Sequence, residues 1–245
     1  MEHNPHWFKD WFNSPYYHQL YKNRNIDEAE FFLENILELI KLNATDKICD
    51  LACGKGRHSL YLNKKGYHVT GLDIASESID EANKYANTQL NFAVHDMRNN
   101  FGSNRFQAVF NLFTSFGYFN SLKENEKVLK NIYMALKPGG ILVLDFFNAT
   151  KVKNCIIPNE IKTIDDIDFK ISKYIQNGKI YKEIAFNANQ NQYLFREEVQ
   201  LISKKDFVIM LQNHNFAIEY LKGNYKLEEF NEHDSDRLII IARKN

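Results

Sequence analysis

Residues 46–65 read DKICDLACGKGRHSLYLNKK. The first seven, Asp46 to Ala52, form a short apolar run of strand length, and the turn Gly54-Lys55-Gly56 follows at once. From Arg57 to Lys65 the chain reads as a helix, with Leu60 and Leu62 available for packing and Gly66 as its stop. A glycine turn between strand and helix lets the backbone approach a ligand closely, and the helix start offers unpaired N–H groups. The fingerprint of dinucleotide-binding turns would need a third glycine where Ser59 stands, and would aim the helix end at a pyrophosphate. Here an acidic residue, Asp50, precedes the turn on the strand itself. A carboxylate in that place suits a ligand that carries an amino group.

Outward from this loop the pattern repeats. Tyr67–Asp73, Leu90–Val94, Phe106–Phe113 and Ile141–Phe147 read as further strands. Ser76 or Ser78 can cap a helix running to Tyr85, and a helix from about Glu124 to Leu136 ends at LKPGG. Before the first strand, Phe31, Phe32, Leu33, Ile36, Leu37, Leu39 and Ile40 recur at helical spacing after Asp27, Glu28 and Glu30. Strands alternating with helices imply parallel strands with right-handed crossovers, hence a doubly wound α/β sheet. From Ile167 the period switches to two. The stretches IDFKISKYIQ, KIYKEIAFNA and QYLFREEVQLIS read as three antiparallel strands, the first two joined by Asn177-Gly178. A helix (Lys205–His214) and two strands (Phe216–Lys222, Arg237–Arg243) follow. The expected architecture is a seven-stranded, mostly parallel sheet with a final antiparallel strand and an inserted three-stranded antiparallel flap. Its parts are a helical cap at 1–45, a core at 46–150 and 204–245, and the flap at 151–203.

Bulk properties narrow the function classes. Of the 245 residues 44% are apolar and 25% charged, enough to bury a sizeable core. Lysine plus arginine equals aspartate plus glutamate at 31 each, so no global field favours nucleic acid or an anionic membrane; Lys64-Lys65 and Lys204-Lys205 read as solvated helix ends. The cysteines Cys49, Cys53 and Cys155 are odd in number and form no CxxC pair, which argues against disulfides or structural zinc. The start, MEHNPHWFKDWF, lacks the charged and apolar regions of a signal peptide, and no run has membrane-span length, so a cytoplasmic protein is expected.

The order Asp50, Ala52, Gly54, Gly56 resembles the first motif of the S-adenosylmethionine (SAM)-dependent methyltransferases with the Rossmann-like fold, alanine replacing that motif's first glycine. Asp73 in VTGLDIA matches the family's acidic residue for the ribose hydroxyls, with Ile74 beside it. Asp96 in AVHDM matches the one that receives the adenine amine, with Met97 against the ring. LKPGG before the fifth strand and the closing DRLIIIARK also resemble the family, so the likeness runs from about Lys47 to Phe147 and resumes at the end. The three aspartates, each about one strand–helix unit apart, fall at the carboxyl ends of adjacent strands, where open α/β sheets bind ligands.

The resemblance implies the rest of the site. An N-terminal segment would fold over SAM, with Tyr16 or Tyr17 and Arg24 meeting the methionyl carboxylate. Asn111 to Phe119, including Phe113 and Tyr118, would lie near the transferable methyl. The flap would close the acceptor side through Glu183, Tyr193 and Arg196. His58 and His95 read as structural, and no catalytic triad, metal cluster or general base is evident. The expected activity is methyl transfer to N or O of a small-molecule acceptor by a monomer or homodimer. A tRNA-modifying enzyme and a silent SAM-binding sensor or scaffold are the alternatives.

Overall fold

The computed structural model describes residues 7–22 and 26–245. Two short helices, α1 (Trp7–Phe12) and α2 (Pro15–Leu20), precede α3 (Ile26–Ile40). Alternation follows: β1 (Lys47–Leu51), α4 (Arg57–Lys64), β2 (His68–Asp73), α5 (Ser76–Asn83), β3 (Leu90–Val94), β4 (Phe106–Asn111), α6 (Leu122–Ala135) and β5 (Leu136–Phe147). After α7 (Ala149–Asn154) come four consecutive strands, β6 (Asn159–Ile164), β7 (Ile167–Gln176), β8 (Lys179–Ala188) and β9 (Asn191–Gln200). The chain closes with α8 (Lys204–Asn213), β10 (Phe216–Lys222) and β11 (Arg237–Lys244).

The main sheet has seven strands in the order β10-β11-β5-β4-β1-β2-β3. All pairings from β5 to β3 are parallel, and β11 is antiparallel to both β5 and β10. The central strands are apolar on both faces because helices cover both: Ile48, Val109, Leu142, Val143 and Ile240 are fully or almost fully buried. The reversal of strand order between β1 and β4 opens a crevice at their carboxyl ends.

The second sheet is an antiparallel meander, β6-β7-β8-β9, so the expected three-stranded flap gains a fourth strand. β6 (NEIKTI) alternates but is short and follows Pro158, which left it without a readable signal. All three hairpin turns are two-residue loops with both residues at positive φ: Asp165-Asp166, Asn177-Gly178 and Asn189-Gln190. That is the type I′ turn that matches strand twist, and each opens on Asn or Asp. One face of this sheet carries Phe169, Ile171, Ile184 and Phe186, all buried, with Tyr193 and Phe195 in line across the strands. It packs on α1 and α2: Trp11 lies 4.5 Å from Phe195, and Tyr16 lies 4.7 Å from Phe186 and 4.8 Å from Tyr193, centroid to centroid.

Other boundaries also differ from expectation. LKPGG belongs to β5, because Leu136 already pairs with Phe106 ahead of a register shift. A side chain on Gly140 would stand 2.8 Å from the carbonyl of Lys137, so the bulge requires glycine there. Neither Ser76 nor Ser78 caps α5. The N-cap is Ala75, whose N–H donates to Asp73 Oδ1 at 2.8 Å, so the strand-end aspartate satisfies this helix start. Among the described residues no helix is long and apolar enough to cross a membrane.

Candidate active site

The carboxyl ends of β1, β2, β3 and β4 open on a cavity of about 710 Å³, within the range of small-molecule sites. Its floor is the loop after β1. Ala52, Gly54 and Gly56 all have positive φ, at 66°, 55° and 80°. Gly54 faces open space, whereas a side chain on Gly56 would stand 2.6 Å from the Phe92 ring. The first glycine presents the loop to the cavity, and the second lets it pack on the sheet.

The three aspartates have different surroundings. Asp50 is 1% exposed and accepts from Ser59 Oγ at 2.6 Å; burial, with the Asp73 charge nearby, pushes its carboxyl up to about 6. Asp73 is buried, and its two oxygens accept from the N–H groups of Gly54 (2.7 Å) and Ala75 (2.8 Å). Burial raises its pKa, and those backbone bonds oppose the rise. Asp96 is paired with Arg98 at 2.6 Å. Burial pushes its pKa up, but the hydrogen bonds and charge of Arg98 outweigh that and hold it below the usual carboxylate range.

Of the residues expected in the site, Tyr17, Ala52, Gly54, Asp73, Ile74, Asp96, Met97, Phe113 and Tyr118 line the cavity. Asp50, Gly56 and Asn111 stand behind its wall: Asn111 donates to the carbonyls of Leu51 and Ser115 and so ties β4 to the glycine loop. Tyr16 turns away to the flap, and Arg24 lies outside the described residues. No described flap residue lines the cavity. Glu183 accepts from the Tyr174 hydroxyl at 3.1 Å and Arg196 pairs with buried Glu198 at 2.7 Å, both on the sheet face opposite the helices. Tyr193 stacks on Phe186 at 5.1 Å. All three are thus engaged within the flap or against α2, and the expected flap wall is replaced by α1, α2 and the turn after them, through Phe8, Phe12, Tyr17, His18, Tyr21 and Lys22. The signal was present in the sequence: Trp7, Phe8, Trp11 and Phe12 recur at helical spacing, but aromatic spacing alone does not separate a core face from a ligand wall.

Other wall residues were read as structural or not singled out. His58 lines the cavity and stacks on Phe113 at 5.0 Å. Arg57 approaches its Nε2 at 3.2 Å, and since a guanidinium only donates, Nε2 is the acceptor. Phe113 and Thr114 are both left-handed, at φ 55° and 62°. They are gripped by buried Asp145, whose Oδ2 accepts from Phe113 N (2.8 Å) and whose carbonyl accepts from Thr114 N (3.0 Å).

A family model for a methyltransferase domain matches residues 48–140. YqeM of Bacillus subtilis, assigned as a methyltransferase, is 27% identical over 223 residues, covering 81% of this chain and 84% of its own. The phosphoethanolamine N-methyltransferase of Plasmodium falciparum is 30% identical over 125 residues, and the match spans about half of each chain (49% and 46%). The fold is that of a SAM-dependent methyltransferase from Clostridium acetobutylicum (TM-score 0.80, 17% identity, 94% of this chain and 96% of that one). It is also that of the SAM-bound amino pentose methyltransferase CalS10 of Micromonospora echinaspora (TM-score 0.73, 17% identity, 95% and 98%). The domain match, the relatives and the shared fold together support a SAM-dependent methyltransferase with the Rossmann-like fold, and SAM as its cofactor.

Proposed function

We propose that this enzyme methylates a nitrogen atom of a small-molecule acceptor held beside SAM in the cavity between the sheet and the N-terminal helices. The observation that carries this reading is the division of the cavity wall. The ends of β1, β2 and β3 contribute acidic and backbone groups (Gly54, Asp73, Asp96), whereas α1, α2 and the loop after β4 contribute aromatic ones (Phe8, Phe12, Tyr17, Tyr118, Phe119). Asp73 and Asp96 suit the hydroxyl and amino donors of an adenosine, while Ile74 and Met97 suit the faces of its ring. Asp50, behind the loop, suits the methionyl ammonium by charge. Nitrogen is favoured over oxygen because the Plasmodium relative is named an N-methyltransferase and CalS10 an amino pentose methyltransferase. The parts are then a cap (1–45), a cofactor-binding core (46–150 and 204–245) and a flap (151–203) that supports the cap.

When bound, SAM supplies an electrophilic methyl on a sulfonium. The protein's part is to hold the acceptor's lone pair in line with it, to exclude water, and to favour the positive charge by aromatic faces. An amine that arrives neutral needs no dedicated base for the transfer itself, and none is assigned.

Labelled SAM offered with a panel of amines, phenols and sugars tests the activity. Label transferred to phenols or sugar hydroxyls and to no amine would overturn the choice of nitrogen. Calorimetry with S-adenosylhomocysteine tests the site: Asp73→Ala should lose about ten- to a hundredfold in affinity, and Glu77→Ala almost none. Equal losses would remove Asp73 from the ribose position.

A further inference from the structure

Arg98 follows Asp96 by two residues and takes most of its hydrogen-bonding capacity. Its main-chain N–H donates to Oδ1 at 3.0 Å, its Nε is shared between Oδ1 at 3.0 Å and Oδ2 at 3.2 Å, and its second terminal nitrogen donates to Oδ2 at 2.6 Å. A carboxylate offers about four acceptor positions. Three N–H groups of Arg98, one of them shared between both oxygens, leave room for a single further donor on a residue that lines the cavity. The guanidinium is itself held in place. Its other terminal nitrogen donates to Glu124 of α6 at 2.9 Å, and its plane lies over Phe119 at 4.7 Å and Phe8 at 5.9 Å. The ion pair is mostly buried, with side chains 21% and 20% exposed, so solvent screens it only in part.

We propose that Arg98 is a positioning residue that fixes the plane and the negative charge of Asp96, and thereby makes the cofactor site accept an amino group and reject a carbonyl at the adenine 6-position. The inference rests on the assignment of Asp96 to the adenine amine made above. A carboxylate that cannot rotate and stays ionised accepts one N–H and repels an oxygen. A carboxylate free to turn, or to carry a proton, can satisfy either group. A bidentate guanidinium gives both restraints at once, and a lysine would give the charge without the planar fork. The charged and titratable groups around Asp96 are Arg98 itself, Glu124 of α6, Lys9 of α1 and the adjacent His95. Without the Arg98 side chain, burial would push the Asp96 pKa upward against only the main-chain N–H of residue 98 and the charge of Lys9.

The test compares two probes on the full chain by calorimetry: S-adenosylhomocysteine, and S-inosylhomocysteine, in which a carbonyl replaces the amine. The ratio of their affinities cancels any general weakening of the fold. In the unaltered enzyme the adenosine probe should bind about tenfold more tightly or better, with a ratio that stays flat between about pH 5 and pH 8. Arg98→Gln should bring the ratio within about threefold and make it shrink further as the pH falls toward about 5. Arg98→Lys should fall between the two, and it carries the test if the glutamine variant does not fold. An Arg98→Gln or Arg98→Lys enzyme that keeps the full ratio at every pH overturns the role of Arg98. Asp96→Asn separates the two levels of the argument. If that variant also keeps the ratio, the adenine assignment fails and the inference goes with it; if it loses the ratio while the Arg98 variants keep it, only the inference fails.

Discussion

The indole Nε1 of Trp11 in α1 donates to Oε1 of Glu197 in β9 at 2.7 Å, across 186 residues of chain. The Tyr21 hydroxyl donates to the same oxygen at 2.7 Å, and Lys182 of β8 pairs with the other oxygen at 3.8 Å. Glu197 stands on the flap face that carries Tyr193 and Phe195, so the sheet grips one side of the N-terminal helices while Phe8, Phe12, Tyr17 and Tyr21 line the cavity on the other. The flap therefore acts on the site at one remove, as a buttress for its cover.

Removing Glu197 should loosen that cover and little else. Glu197→Ala leaves the Trp11 N–H and the Tyr21 hydroxyl without their acceptor in a largely buried place, a cost of about 1–3 kcal/mol. Amide exchange should quicken in α1 and α2 and stay unchanged in β1, β4 and β5. Unaltered exchange in α1 and α2 would show that aromatic packing on Phe186 and Phe195 suffices to hold them.

The strand-and-helix alternation from Lys47 to Phe147 was legible because the central parallel strands are largely apolar and each aspartate sits one unit from the next. The main sheet follows from local rules of that kind. What the sequence did not disclose is long-range pairing. Arg196 and Glu183 alternate along their strands as a substrate wall would, but strand parity puts them on the face away from the helices. The aromatic run at residues 7–21 turns toward the cavity only because β9 presents Glu197 and Phe195 to its other side. Asp145, read as part of an apolar strand, shows its role only once β11 brings Arg237 alongside it.

The alanine that replaces the first glycine of the loop motif is held at φ 66°. An L-residue with a Cβ pays roughly 1–2 kcal/mol in that region, and glycine pays none. Glycine also has more freedom to lose on folding, about 0.4–1 kcal/mol. Ala52→Gly should therefore stabilise the protein by a few tenths to about 1 kcal/mol, read as a higher urea midpoint at unchanged slope. A lower midpoint would mean that the Ala52 methyl contributes more by packing than the strained backbone costs.

Asp145 should be among the most sensitive polar positions in the chain. It is fully buried, and its Oδ1 accepts from Arg237 Nε at 2.8 Å. Arg237 in turn donates to Thr114 Oγ1 at 2.9 Å, so the pair holds both left-handed residues of the loop after β4. Asp145→Ala should cost about 3–5 kcal/mol, because a mostly buried guanidinium loses its counter-ion. The double variant Asp145→Leu with Arg237→Met should recover much of that, since it leaves no unpaired charge. Urea unfolding of the three proteins decides the matter, and a single variant no less stable than the double would refute the account.

Asp50 makes the ligand-free protein pH-sensitive in a direction opposite to that of most aspartates. Its folded-state pKa of about 6 lies above the usual value of 3.8, because burial disfavours the carboxylate more than Ser59 favours it. Between about pH 4 and pH 6 the folded chain holds a proton here that the unfolded chain has released. The stability this proton gives is complete below about pH 4 and is lost as the pH rises through about 6, by on the order of 3 kcal/mol. Asp73 is shifted in the same direction by burial and adds to the effect. Asp50→Asn carries no charge at any pH and keeps an oxygen for Ser59, so without ligand it should melt higher than the unaltered protein near neutrality. The gap should close as the pH falls toward 4. A ligand ammonium near Asp50 favours the carboxylate, so S-adenosylhomocysteine binding at about pH 6 should release a proton. Calorimetry in two buffers of different ionisation enthalpy measures that release, which Asp50→Asn should abolish. Equal proton release by both proteins would place the titrating group elsewhere in the cavity.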